Sequence, residues 1–133
     1  MAVRTYSLRA EGNLELSKNF KVKEFACKDK SDKIMVCREL VLMLQAIRDF
    51  YGREVVINSG YRTESYNKSI KGATGSLHLK GRAADFVVKG VEAKQVRADI
   101  EAGRIKGVDP SKIGLGYYLD FTHIDTRGFR SRF

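Results

Sequence analysis

The chain holds two histidines, and each stands close to a carboxylate. His78 sits in the run Ser76-Leu77-His78-Leu79-Lys80-Gly81-Arg82-Ala83-Ala84-Asp85, and His123 in Asp120-Phe121-Thr122-His123-Ile124-Asp125. Two neutral imidazole nitrogens and one carboxylate oxygen make the protein side of a catalytic zinc centre, with a fourth position left for water. Asp85 interrupts the apolar run Ala83–Val88. A charge inside such a run needs a cation, and a metal ion serves as well as a salt bridge to Arg62 or Arg82. Gly81 lets the chain bend between His78 and Asp85, so that six intervening residues need not hold the two ligands apart. On residue types alone, a surface-loop role for His78 and a hydrogen-bonded strand role for His123 compete with the metal reading.

Other residues near this trio carry their own pairs of readings. Asp120 precedes His123 by three positions on an expected bend, where its side-chain direction is free. There it can serve as general base to a metal-activated water, or simply close an Asx turn. Asp125 shares the strand face of His123 and can orient the imidazole or pair with Arg127. Arg62, in Ser59-Gly60-Tyr61-Arg62-Thr63, follows a buried strand and can enter a cleft to bind a substrate carboxylate or an oxyanion, against a structural salt bridge. Ser76 lacks a free histidine to activate it, which weakens a nucleophilic role, and it is counted with Arg62 as a candidate substrate-binding residue. Cys27 and Cys37 have no partner at catalytic or zinc-finger spacing and read as reduced thiols.

These residues need elements to position them. Val36, Leu40, Met43, Leu44, Ile47 and Phe50 recur at helical spacing and predict an amphipathic helix ending at Gly52. Val55–Ile57 predicts a buried strand closed by Asn58-Ser59-Gly60, and Tyr61–Ile70 a short helix. Gly72–Ser76 reads as a flexible loop, Ala83–Val88 as a strand and Glu92–Ile100 as a helix. Leu115–Tyr118 and Phe121–Asp125 predict a hairpin joined through Leu119 and Asp120. Residues 1–19 show no sustained period and are expected to form an adaptable leader, with residues 20–133 as the single domain. Helices and strands do not alternate as βαβ units, so the expected class is α+β with a small antiparallel sheet.

Composition limits the function classes. A chain of 133 residues and 15.0 kDa, with 43% apolar and 31% charged residues, has the make-up of one globular domain. The formal charge of +9 favours a polyanionic neighbour such as nucleic acid, teichoic acid or an acidic membrane, and charge alone does not choose among them. Basic and acidic residues are interspersed, so no Lys/Arg-rich arm marks a nucleic-acid binder. No apolar stretch is long enough to span a bilayer, and Met1–Asn13 lacks the apolar core of a secretion signal. The expected state is a monomer.

Together, Ser59-Gly60-Tyr61-Arg62-Thr63, Ser76-x-His78-x-x-Gly81-Arg82-Ala83-x-Asp85, Gly114-x-Gly116-Tyr117-Tyr118 and His123-x-Asp125-x-Arg127-Gly128 resemble the M15 family of zinc peptidases. The resemblance covers about Phe20 to Gly128. It implies the fold shared by Hedgehog signalling domains and D-Ala-D-Ala peptidases, with one zinc ion on His78, Asp85 and His123. It also implies Asp120 as catalytic base and Arg62 as the arginine facing the substrate. Such peptidases cut next to D-amino acids in peptidoglycan stem peptides. The base is often Glu in the carboxypeptidase branch, whereas Asp120 is similar to the phage endolysin branch, so the expected activity is an L-Ala-D-Glu endopeptidase acting at the bacterial cell wall. Alternatives are a D-Ala-D-Ala carboxypeptidase or dipeptidase and a non-catalytic, zinc-containing wall-binding module.

Overall fold

In the computed structural model, which describes residues 2–133, the chain begins with β1 (Val3–Ser7), α1 (Leu8–Glu11), β2 (Glu15–Ser17), β3 (Phe20–Lys21) and β4 (Lys33–Cys37). It continues through α2 (Arg38–Tyr51), β5 (Val55–Ser59), α3 (Glu64–Ser69), β6 (Ala83–Val88) and α4 (Ala93–Glu101). β7 (Gly114–Tyr117), β8 (Thr122–Asp125) and β9 (Ser131–Arg132) complete it. The α+β class is as expected. The main sheet runs in the order β5-β6-β8-β7-β9, antiparallel except for the β7–β9 pair, which is parallel.

Residues 1–19, expected as a leader, are built into the fold from Val3 onward. β1 pairs antiparallel with β4 over five residues, and β2 pairs with β3. The backbone partners of these short strands supply the order that their own sequence pattern does not announce. Val36 and Cys37 belong to β4, so α2 starts two residues later than its apolar stripe indicates, while Gly52 ends it in the left-handed conformation at φ 62°.

Leu40, Val41, Met43, Leu44 and Ile47 form the buried face of α2, which contributes to one core with Phe20, Phe25, Ile57, Phe86, Leu115 and Ile124. Side chains alternate across a strand. In β6, Ala84, Phe86 and Val88 therefore enter the core while Asp85 points to the other face, and in β8 Ile124 enters the core between His123 and Asp125. One face of the sheet makes the core, and the other carries the polar residues. No helix among the described residues is long and apolar enough to cross a membrane.

Candidate metal centre

The ladder between β6 and β8 sets Asp85 directly opposite His123. Directly opposed residues of an antiparallel pair project to the same face, so two of the three expected ligands meet by strand register alone. The third, His78, comes from a 3-10 turn, Leu77–Lys80. Ser76 caps that turn by accepting from the His78 backbone N–H at 3.2 Å, and Gly81 ends it at φ 68°. A Cβ at Gly81 would collide with the Met35 carbonyl, so the bend tolerates only glycine. The Arg62 backbone N–H donates to the His78 carbonyl at 3.0 Å and ties the turn to the strand β5 exit.

His78 Nε2 lies 3.2 Å and His123 Nδ1 2.9 Å from Asp85 Oδ1. All three residues are buried, and one ligand atom from each lies within 4.8 Å of the others. Ligand atoms around a tetrahedral zinc with bonds of about 2.0–2.1 Å are about 3.3 Å apart, so little movement separates this arrangement from a coordination sphere. The outer imidazole nitrogens fix the tautomers. His78 Nδ1 stands 2.8 Å from the Gly60 carbonyl and His123 Nε2 2.8 Å from Asp125 Oδ2, and both oxygens can only accept. Each outer nitrogen therefore carries the proton, and in the neutral rings both inner lone pairs converge on a carboxylate oxygen. Three electron-rich atoms facing one another can hold a cation, either a proton or a metal ion, and imidazoles held from behind by a carbonyl or carboxylate are the usual support of a metal site.

The electrostatics agree. Burial alone would raise the Asp85 carboxyl, yet hydrogen bonds and positive charge from the His123 and His78 rings in their protonated form hold it well below the usual carboxylate range. Burial alone would lower the His123 imidazolium, but Asp125 and Asp85 prevail and raise it above its ordinary value. Cationic character is thus stabilised at this spot.

Asp125 is fully buried and meets both of its expected partners at once. It receives His123 Nε2 on Oδ2, Arg127 Nη2 on Oδ2 at 2.6 Å, Arg127 Nε on Oδ1 at 2.8 Å and the Gly114 N–H on Oδ1 at 3.0 Å. A Cβ at Gly114 would land on the Asp125 carboxylate, and one at Gly116 would press on His123 and Phe133. The Gly114-x-Gly116 spacing therefore clears the sheet face on which the site is built.

Arg62 spends its donors on structure: Nε on Ser59 Oγ at 3.1 Å, Nη1 on Asn67 Oδ1 at 3.2 Å and Nη2 on Asp85 Oδ2 at 3.3 Å. It nevertheless lines the cleft of about 820 Å³ into which His78, Asp85 and His123 face, as does Ser76. Asp120 does not line that cleft. It is exposed and borders a separate groove with Leu119, Thr122 and Arg97, so the structure does not bring the expected base to the metal ligands. Thr122 projects to the opposite sheet face from His123 and lines the same groove as Asp120. Cys27 and Cys37 are buried free thiols, with Cys37 Sγ donating to Glu39 Oε2 at 2.9 Å.

Three contributors escaped the sequence reading. The Gly60 carbonyl orients His78, the Phe133 ring meets the His123 ring edge-on at 5.0 Å, and buried Asn67 joins Arg62 to the Ala73 carbonyl. Only the last left a trace, as a polar residue within a short expected helix.

The model of the Peptidase M15 family matches residues 18–125, a span that includes His78, Asp85, His123 and Asp125. The chain is also 35% identical over 85 residues to a Haemophilus influenzae protein named as a probable peptidoglycan L,D-endopeptidase MepK. That match covers 59% of this chain and 42% of the relative, so the chain spans less than half of the relative's length. With the family match running over most of the sequence and through the His78, Asp85 and His123 cluster, the chain belongs to the Peptidase M15 family.

Proposed function

We propose that this chain is a zinc-dependent peptidase of peptidoglycan stem peptides, acting as an endopeptidase at the L-Ala-D-Glu bond. The observation that carries the reading is the convergence of His78 Nε2, Asp85 Oδ1 and His123 Nδ1, with each imidazole's outer nitrogen already committed as a donor. Family membership supports hydrolysis of a peptide bond, and the relative named as an L,D-endopeptidase supports a bond between L- and D-centres in the wall.

In this reading His78, Asp85 and His123 hold one zinc ion. Zinc in such a site supplies Lewis acidity, bringing the pKa of water towards ~7 and polarising the scissile carbonyl. Asp125 keeps the His123 proton on Nε2 and its lone pair on Nδ1. The Gly60 carbonyl does the same for His78 through Nδ1. Arg62 grips Asp85 Oδ2, which leaves Oδ1 aimed at the two imidazoles, so it acts here as a positioning residue. Tyr118, Phe121 and Phe133 give the cleft an apolar wall on which a substrate can pack. Asp120 takes no step in this arrangement. The +9 charge holds the protein near anionic wall polymers.

Digestion of purified peptidoglycan, followed by mass analysis, tests the proposal. The zinc-loaded protein should release fragments with new L-Ala carboxyl ends, and chelated protein should release none. Loss of terminal D-Ala alone would instead identify a carboxypeptidase, and an unaltered digest with zinc bound would identify a binding module.

A further inference from the structure

The cations of the cleft are not balanced by its acids. Arg62, Lys71, Arg82 and Arg127 line it, against Asp85 and Asp125. Arg62 is paired with Asp85 at 3.3 Å and Arg127 with Asp125 at 2.6 Å. Among the described residues, neither Arg82 nor Lys71 forms an ion pair with any carboxylate. Arg82 is half-buried, and its guanidinium rests only on neutral groups of Thr126, the carbonyl at 2.7 Å and the hydroxyl at 3.3 Å. A half-buried guanidinium without a counter-charge is costly in isolation, and a carboxylate is its best geometric match.

Lys71 is the second cation of the cleft lining without a carboxylate partner among the described residues. Its backbone adopts φ 58°, a left-handed conformation uncommon for any residue but glycine. The adjoining loop is held in place by buried Asn67, whose carbonyl accepts from the Gly72 N–H at 2.8 Å and whose side-chain amide donates to the Ala73 carbonyl at 3.0 Å. With the Lys71 N–H donating to the Lys68 carbonyl at 3.1 Å, these bonds close α3 as a Schellman cap and hold the exposed Lys71 at the edge of the cleft.

We infer that Arg82 and Lys71 form a subsite for a free carboxylate of the substrate beside the scissile bond. The inference rests on the peptidase reading and specifies its substrate. In a γ-linked D-Glu the α-carboxylate is free and sits next to the L-Ala-D-Glu bond, so the subsite selects the acidic form over its amide. The same carboxylate balances a cleft that is cationic before any metal enters it.

The test uses two synthetic stem peptides, identical except that the D-Glu α-carboxylate of one is a carboxamide in the other. The zinc-loaded wild-type protein should favour the acid by roughly tenfold to a hundredfold in kcat/KM, the range for a hydrogen bond to a charged group. Lys71→Gly accommodates the positive φ and removes the ammonium, and it should lower that ratio. Lys71→Gly combined with Arg82→Gln should bring it close to unity. If Arg82→Gln does not fold, the charge-keeping Arg82→Lys joined with Lys71→Gly decides the matter, since a ratio equal to that of wild type overturns the subsite. Equal cleavage of both peptides by the wild-type protein overturns the subsite and leaves the peptidase reading standing. Cleavage of neither overturns the peptidase reading and the subsite with it.

Discussion

Asp125→Asn tests the support behind the metal centre, because it changes one atom and no shape. The carboxylate accepts on both oxygens, from His123 Nε2 and Arg127 Nη2 on Oδ2 and from Arg127 Nε and Gly114 N–H on Oδ1. An asparagine must turn its NH₂ toward one of those sets. Two donors lose their acceptor at Oδ2, or three at Oδ1 where the Arg127 backbone N–H also bonds at 3.3 Å, and the Arg127 charge loses its counter-ion inside a site where Asp125 has no solvent exposure. Breaking one partner out of a buried pair costs about 3–5 kcal/mol. Arg127 keeps 24% of its side chain in contact with solvent, which places the expectation near the lower end, at about 3 kcal/mol. For a domain of this size that corresponds to a fall of about 10 °C in Tm. With its Nε2–H no longer accepted, or accepted at a neutral amide, His123 should also lose zinc affinity by about 10- to 100-fold. Thermal melts of the chelated protein give the first quantity, and competition with a chromophoric chelator gives the second. Arg127→Met serves as the companion, since it removes the counter-ion but leaves His123 bonded to Asp125, and should lower stability more than metal affinity. An Asp125→Asn protein that binds zinc within about twofold of wild type would refute the orienting role.

Three further outcomes follow from the geometry. His78→Ala and His123→Ala should each lose most bound zinc by elemental analysis, and chelation of the wild-type protein should lower its Tm because metal binding adds to folding free energy; zinc content equal to wild type in either variant contradicts the ligand set. Asp120→Asn should keep kcat within about threefold, as expected of an exposed side chain outside the cleft, while a fall of about 10²-fold or more with zinc retained would restore Asp120 as the base. Glu101 is held by Arg132, with Tyr117 and Arg130 adding, so its carboxyl is lowered from 4.5 to about 2, against the rise that burial alone would cause. Its contribution is present above the unfolded value and lost as pH falls from 4.5 to about 2. It is at most about 3 kcal/mol before solvent screening is discounted. Glu101→Gln should therefore melt lower than wild type at pH 7, with the gap closing towards pH 2; a constant gap would refute the linkage.

Much of this arrangement was legible in the sequence because it follows short-range rules. The stripe Leu40, Met43, Leu44 and Ile47 announces α2, and an acid in the middle of Ala83–Val88 announces a partnered carboxylate facing away from the core. The same stripe claimed Val36 for the helix, since a buried strand residue in phase with a helical pattern looks like its first member. β1, β2 and β9 were hidden for the opposite reason: five, three and two residues long, they are defined by partners far along the chain. Spacing named Arg62 as a site residue but could not decide whether its guanidinium meets substrate or Asp85, because that depends on Ser59 and Asn67 holding it from the other side. For Asp120 the separation of three from His123 already implied opposite faces in a regular strand, and the bend did not reverse that parity.

The alternation along β8 has a consequence for how this scaffold can change. Core and chemistry are interleaved residue by residue in Thr122–Asp125, so an insertion or deletion of one residue there would send Ile124 to the cleft and His123 or Asp125 to the core. Heritable variation in length is therefore barred from the strands that carry the ligands. The 71–76 loop lies outside the ladders, where exchanging an exposed side chain disturbs no strand parity. A lineage built on this plan can diversify the side chains that greet a substrate while Asp85 and His123 stay fixed by strand parity.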